Sequence, residues 1–187
     1  MNNDILRALE VLRNGGLILY PTDTIWGIGC DATNTGAVAK IYDIKKRADS
    51  KSMLVLVDTE NRLAQYIDKV PEIAWQLIEV ADKPMTIIYP GAKNLAENLV
   101  ADDGSVGIRL VKDEFCKKLI ERFKKPIVST SANISGDRPP AVFNDIPEEI
   151  KQGVDYIVEW RQDNLSHATP SSIIKIDASG RFSIIRH

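Results

Sequence analysis

The chain has 187 residues, 44% of them hydrophobic, with 24 basic against 26 acidic side chains. That length suits one domain with a real core. The net charge of −2 excludes a surface that is basic throughout, so any affinity for phosphate must come from a local cluster. Cys30 and Cys116 have no paired spacing, and the only histidines are His167 and His187. These counts argue against a disulfide framework, a zinc motif and a Ser-His-Asp machine. The opening residues lack a basic leader, an apolar core and a small-residue cleavage site. No apolar run approaches the roughly 20 residues needed to cross a bilayer. A cytoplasmic protein with no membrane segment is the expectation.

Asn2, Asn3 or Asp4 can cap a first helix whose apolar positions Ile5, Leu6, Leu9, Val11 and Leu12 follow the helical period, and Gly15-Gly16 supply a left-handed stop. Residues 17–20 read as a short buried strand, ended by Pro21 and the polar loop Thr22-Asp23-Thr24. Over 35–47, Val38, Ile41 and Ile44 sit three apart, which marks an amphipathic helix ending in a basic cluster. The pattern then predicts a strand at 53–57, helices near 60–67 and 71–81, a strand at 85–89, a short helix near 92–99 and a strand at 105–110. A helix over 113–124 turns Phe115, Leu119 and Ile120 inward, and a short strand follows at 126–129. The tract STSANISGDRPPA at 129–141 has the composition of a loop. A short helix near 147–151 precedes strands near 154–160, 172–177 and 182–186, the last two joined by a hairpin-like turn at Ala178-Ser179-Gly180.

This alternation implies an α/β fold, a single domain over 1–187 with a mainly parallel or mixed sheet flanked by helices and an antiparallel part at its end. The polar loops after Tyr20 and Val128 both leave predicted strands, so they are candidates to share one site.

The residues in those loops are cationic and hydroxylic. Neither a Gly-x-Gly-x-x-Gly turn nor a Walker-type loop is present, so a nucleotide needs another cradle, and no His, Cys and carboxylate cluster has metal-ligand spacing. Lys45, Lys46, Arg47 and Lys51 could hold a triphosphate by charge and bidentate contacts. Basic residues in a last helical turn also complement the helix dipole, so this stretch alone leaves both readings open. The tract Ser129-Thr130-Ser131-Ala132-Asn133 offers hydroxyls, an amide and backbone N–H groups for phosphate, ribose or carboxylate, or else a turn and a helix cap. Trp26 reads as core rather than as a stacking platform.

Taken together, YPTDTIWGIGCDA at 20–32, IYDIKKR at 41–47 and STSANISG at 129–136 are far more specific. In this order they resemble the YrdC-like family of threonylcarbamoyl-AMP synthases, over about residues 17–186. The length is similar to forms lacking an extra C-terminal domain. The resemblance implies a twisted mixed sheet with a concave cationic cleft. It also implies that L-threonine, bicarbonate and ATP give threonylcarbamoyl-AMP and pyrophosphate, the product passing to a tRNA-modifying transferase complex. Lys45 and Arg47 match the family's phosphate-holding Lys-x-Arg element, and Ser131 and Asn133 its Ser-x-Asn element. Lys51, Thr86 and Arg186 fall on the ATP side; Thr24, Ser129 and Ser171 fall on the L-threonine side. No residue is expected to act as an acid or base, and a magnesium ion is expected to be held mainly by ATP, with no protein metal site.

Departures from the family pattern lie at Asp82-Lys83, where Trp-Pro-Gly-Pro-Leu-Thr is usual and the ATP-side wall is expected to differ. Leu56 stands where some members carry His, and Val111 follows Arg109 where Pro is common. The role of Arg109, the oligomeric state and direct tRNA binding are left open, as is a paralogue without efficient synthesis. Two rival readings remain: an RNA-binding or ribosome-associated factor of the same fold, and a carbamoyl-transferase relative with another acceptor.

Overall fold

A computed structural model describes residues 1–46, 53–165 and 170–186. Helix α1 (Asn2–Arg13) buries the stripe Ile5, Ala8, Leu9 and Leu12. Its N-cap is Met1, with no side-chain cap bond, rather than Asn2, Asn3 or Asp4. Asp4 is drawn away by tertiary partners: its Oδ1 accepts from the Tyr156 hydroxyl at 3.1 Å and the Glu159 N–H at 2.7 Å. Gly15 ends the helix at φ +70°, a conformation that costs a glycine little.

The chain continues through β1 (Ile18–Tyr20), β2 (Gly27–Gly29), α2 (Thr35–Ile44), β3 (Leu54–Val57), α3 (Glu60–Ala64), α4 (Glu72–Val80), β4 (Met85–Tyr89) and β5 (Val106–Leu110). It closes with α5 (Glu114–Phe123), β6 (Ile127–Ser131), α6 (Glu148–Gly153), β7 (Tyr156–Ile157), β8 (Ser172–Ile176) and β9 (Phe182–Arg186). Asn34 caps α2 by accepting from Ala37 N–H, and Asp113 caps α5 by accepting from Cys116 N–H. The strands form one sheet in the order β7-β1-β2-β6-β3-β5-β4-β8-β9.

The sheet is mixed rather than mainly parallel. Among the described residues only β1 with β7, β3 with β5 and β4 with β8 run parallel. The cause is β6, which inserts between β2 and β3 antiparallel to both. Strand β2 was not expected, and β6 extends to Ser131, three residues into the tract read as loop. The expected helix at 92–99 is a single 3-10 turn at Glu97–Leu99. Gly91 and Asn94, at φ +71° and +56°, break the helical path before it. The expected strand at 154–160 shortens to β7, and Arg161 at φ +68° turns the chain beyond it.

Two apolar layers flank the sheet. Val38, Ile41, Leu63 and Ala74 from α2, α3 and α4 pack with Val55, Val57, Ile87, Ile108 and Val128 on one face. Ile5, Leu9, Leu12, Phe115, Leu119 and Ile120 from α1 and α5 pack with Ile18, Tyr20, Leu56 and Ile127 on the other. Paired residues share a face, so the pairs of Leu54 with Ser129 and of Leu56 with Arg109 put Ser129 and Arg109 on the α1/α5 side.

Candidate functional site

On that side, past the helices, a cleft of about 190 Å³ opens. The β1–β2 connection contributes Thr24, Ile25 and Trp26 to its wall, β2 contributes Gly27, and β6 contributes Ser129, Thr130 and Ser131. Leu54, Arg109, Ile173 and Arg186 line it from β3, β5, β8 and β9, joined by Pro139 and by Pro170 and Ser171 just before β8. The two polar loops expected to share one site do so.

Gly27 matters by what it lacks. A Cβ there would lie 3.1 Å from the Ser129 hydroxyl and crowd the wall. Trp26 is only 6% exposed and tilts against Phe143 with ring centroids 4.8 Å apart, so it is core first, with an edge on the cleft.

The electrostatic centre is Arg109, only 2% exposed and placed near the end of β5. Its Nη1 donates to the Thr24 hydroxyl oxygen at 3.3 Å, and its Nη2 lies 3.1 Å from Asp23 Oδ1. That ion pair is close but off the hydrogen-bonding direction, since the buried Asp23 Oδ1 has no hydrogen-bond partner, nor has Arg109 Nε. The Thr22 hydroxyl donates to the Ile25 carbonyl at 2.8 Å and accepts from Thr24 N–H at 3.1 Å. With its one proton so used, it accepts from the Thr24 hydroxyl at 3.0 Å. Thr24 Oγ1 thus donates to Thr22 and accepts from Arg109.

Arg186 faces the same cleft, with Nε and Nη2 donating to the Ser171 carbonyl at 3.0 and 2.7 Å. Burial and the nearby Arg109 charge both pull its pKa down. Two cations held near each other in a half-enclosed cleft favour an anionic guest. The Ser171 hydroxyl shares a 2.9 Å hydrogen bond with Thr86 Oγ1, and Thr86 is fully buried behind the wall.

Lys45 and Asn133 lie behind the wall as well. Lys45, 2% exposed, donates from Nζ to the carbonyls of Ser131 at 2.5 Å and Asn133 at 2.6 Å. Asn133 Nδ2 donates to the carbonyls of Ile134 and Asp137, both at 2.8 Å, while its Oδ1 is buried without a partner. Ser135 N–H returns to the Lys45 carbonyl at 3.0 Å. The end of α2 and the 131–137 loop are therefore stitched together. Lys46 turns outward to Glu149, at 2.7 Å. Arg47 and Lys51 lie outside the described residues.

The Asp82-Lys83 departure is not on this cleft. Both residues line a separate pocket of about 150 Å³ with Ile78, Met85, Ile87, Tyr89 and Ile108, on the α4 side of the sheet. Leu56 is fully buried in the α1/α5 layer. Asp23, Arg109 and Gly27 are the residues that sequence reasoning did not assign to the site. The signal for Arg109 was a charge inside the apolar run VGIRL.

The described residues contain no group of three or more His, Cys, Asp or Glu able to hold a metal ion. They also contain no helix long and apolar enough to cross a membrane.

The Sua5/YciO/YrdC family model, described as telomere recombination, matches residues 10–187. A threonylcarbamoyl-AMP synthase of Riesia pediculicola is 31% identical over 157 residues, 82% of this chain and 84% of that protein. One of Pseudoalteromonas translucida is 30% identical over 180 residues, 95% of each. The crystal structure of P. abyssi Sua5 complexed with L-threonine superposes with a TM-score of 0.85 at 24% identity, over 97% of this chain. The chain spans about half of that Sua5, 53% of its length.

Proposed function

The chain belongs to the Sua5/YciO/YrdC family, and from that premise we propose that its cleft makes threonylcarbamoyl-AMP from L-threonine, bicarbonate and ATP. The amine of threonine and bicarbonate form a carbamate with loss of water. A carbamate oxygen then attacks the α-phosphorus of ATP, and the bond to the β-phosphate oxygen breaks to release pyrophosphate. The nucleophile is already an anion, so positioning and charge neutralisation do most of the work.

The observation that carries this reading is the convergence of Arg109, Arg186 and the Thr24, Ser129 and Ser131 hydroxyls on one cleft. In our reading Arg109 and Thr24 receive the threonine carboxylate and amine side, with Ser129 beside them. Arg186 and Ser131 receive phosphate. Thr86, Lys45 and Asn133 hold those groups from behind, Ser171 stands in the wall on the L-threonine side, and Arg47 and Lys51 are assigned to ATP. A magnesium ion would neutralise charge on the triphosphate and would be held mainly by ATP and water. The product is a mixed anhydride that reacts with water, which calls for a tRNA-modifying transferase close at hand.

The test is pyrophosphate release from ATP by the folded protein. Release is expected only with L-threonine and bicarbonate both present. No release under those conditions, or release independent of threonine, overturns the reading.

A further inference from the structure

Asp23 sits at the back of the cleft, in the β1–β2 connection, and its carboxylate is the anion facing Arg109. Its side chain is 11% exposed, so the pair is largely desolvated and geometry governs its strength. The guanidinium is a planar fork with five N–H groups. One arm lies against the Asp23 charge and the other donates to the Thr24 oxygen, and Thr24 is in turn oriented by Thr22. We propose that Asp23 is a positioning residue for synthesis: through Arg109 and Thr24 it sets the geometry with which the cleft receives the carboxylate of its amino-acid co-substrate. This rests on the functional reading above and deepens it.

Three observations favour positioning over a purely structural salt bridge. Arg109 and Thr24 both line the cleft, whereas Asp23 does not, so the carboxylate acts from behind on groups that meet the guest. The restraint is shared between backbone segments far apart in sequence, β5 and the β1–β2 connection, which a substrate clamp requires and a local surface pair does not. Asp23 also leaves Oδ1 buried and unbonded, and Arg109 leaves Nε so, a cost a protein seldom bears for stability alone.

The groups facing Asp23 decide how the clamp titrates. Arg109 comes from β5, Asp113 and Cys116 from α5, and Tyr20 from β1. Lys83, Lys112 and Asp82 share the apolar pocket behind it. Burial raises its pKa most; the Arg109 charge pulls it back and the Asp113 charge adds to the rise. The clamp therefore releases on acidification at a higher pH than an ordinary carboxylate would allow.

The test compares wild type with Asp23→Asn and Thr22→Val, each first shown by circular dichroism to be folded at the assay temperature. Asp23→Asn is expected to raise KM for threonine about 10- to 100-fold, the penalty of a misplacement near 1 Å, with KM for ATP unchanged. Threonine affinity of wild type, measured by calorimetry, should begin to fall on acidification at a higher pH than an ordinary carboxylate would give, and that of Asp23→Asn should stay flat. Thr22→Val should raise KM for threonine in the same direction by a smaller factor. A threonine KM that is unchanged in Asp23→Asn overturns the proposal. A KM that falls also overturns it, because Asp23 would then be an anion competing with the substrate. If wild type itself makes no threonylcarbamoyl-AMP, the parent reading fails instead, and the two failures are told apart by the wild-type assay.

Discussion

Lys45 shows how a residue can belong to a site without facing it. Its ammonium, buried at the end of α2, joins two carbonyls of the loop that carries Ser131. Each hydrogen bond from a charged donor is worth about 1.5–3 kcal/mol, and removing it strands a buried acceptor. Lys45→Met, which keeps the stem and deletes the charge, is therefore expected to destabilise the fold by about 2–4 kcal/mol. Thermal unfolding should register this as a Tm lowered by roughly 4–16 °C, at about 2–4 °C per kcal/mol for a domain of this size. An unchanged Tm alongside impaired ATP use would instead place Lys45 on the ligand. The basic run Lys45-Lys46-Arg47 was visible in the sequence, but its directions were not. Lys46 adopts φ +49° and points to Glu149, while Lys45 turns inward. One residue of register at a helix end separates a surface cation from a buried one, and no spacing rule contains that.

At the scale of elements, alternation found most of the sheet because its strands are rich in Val and Ile. Strand β2 escaped because Gly27-Ile28-Gly29 carries one apolar side chain between two residues that favour turns. Those glycines are there for close approach, and they do different work. A Cβ on Gly29 would come within 2.6 Å of Tyr20 Cε1 and 2.7 Å of the Val128 carbonyl oxygen, a backbone atom that cannot yield. A Cβ on Gly27 would press at 3.1 Å on the Ser129 hydroxyl, which can rotate. Gly29→Ala is thus expected to lose about 1–3 kcal/mol, as overpacked cores do, seen as a lower urea midpoint. Gly27→Ala should keep its midpoint nearer to wild type and lose substrate affinity. The reverse order would mean that the cleft wall, not the β1–β2 packing, is the tighter of the two. The Ser129-to-Ser131 stretch was legible for its chemistry but not its form: the loop composition was right from Ala132 onward, while β6 carries the hydroxyls as a strand and so fixes which of them face the cleft.

For the whole molecule, two buried carboxylates bias stability in opposite directions with pH. Burial pushes the Asp4 carboxyl up, but hydrogen bonds from the N-terminal ammonium, the Glu159 N–H and the Tyr156 hydroxyl outweigh it and hold the pKa below 3.8. Asp103, bonded to Lys175 and Ser105, is held at about 2. A folded pKa below the unfolded one means a contribution present above pH 3.8 and lost as pH falls through the folded value. Asp4 ties α1 to the segment after β7, and Lys175 on β8 ties to Asp103 before β5, so acid loosens both connections. Asp23 has the opposite sign. Its pKa is raised, so its contribution is present below 3.8 and lost as pH rises through its folded value, a window on the other side of 3.8 from that of Asp4. The urea midpoint of wild type should therefore fall as pH drops below 3.8, more gently in Asp4→Asn, whereas Asp23 acts above 3.8: as pH falls toward 3.8, wild type should gain stability relative to Asp23→Asn. Parallel curves for all three proteins would show that neither carboxylate changes its proton affinity on folding. Asp23→Asn also separates stability from function at one residue: Asp23 protonation steadies the fold while releasing the clamp on Arg109, so affinity for threonine should decline at a pH where the protein is still fully folded.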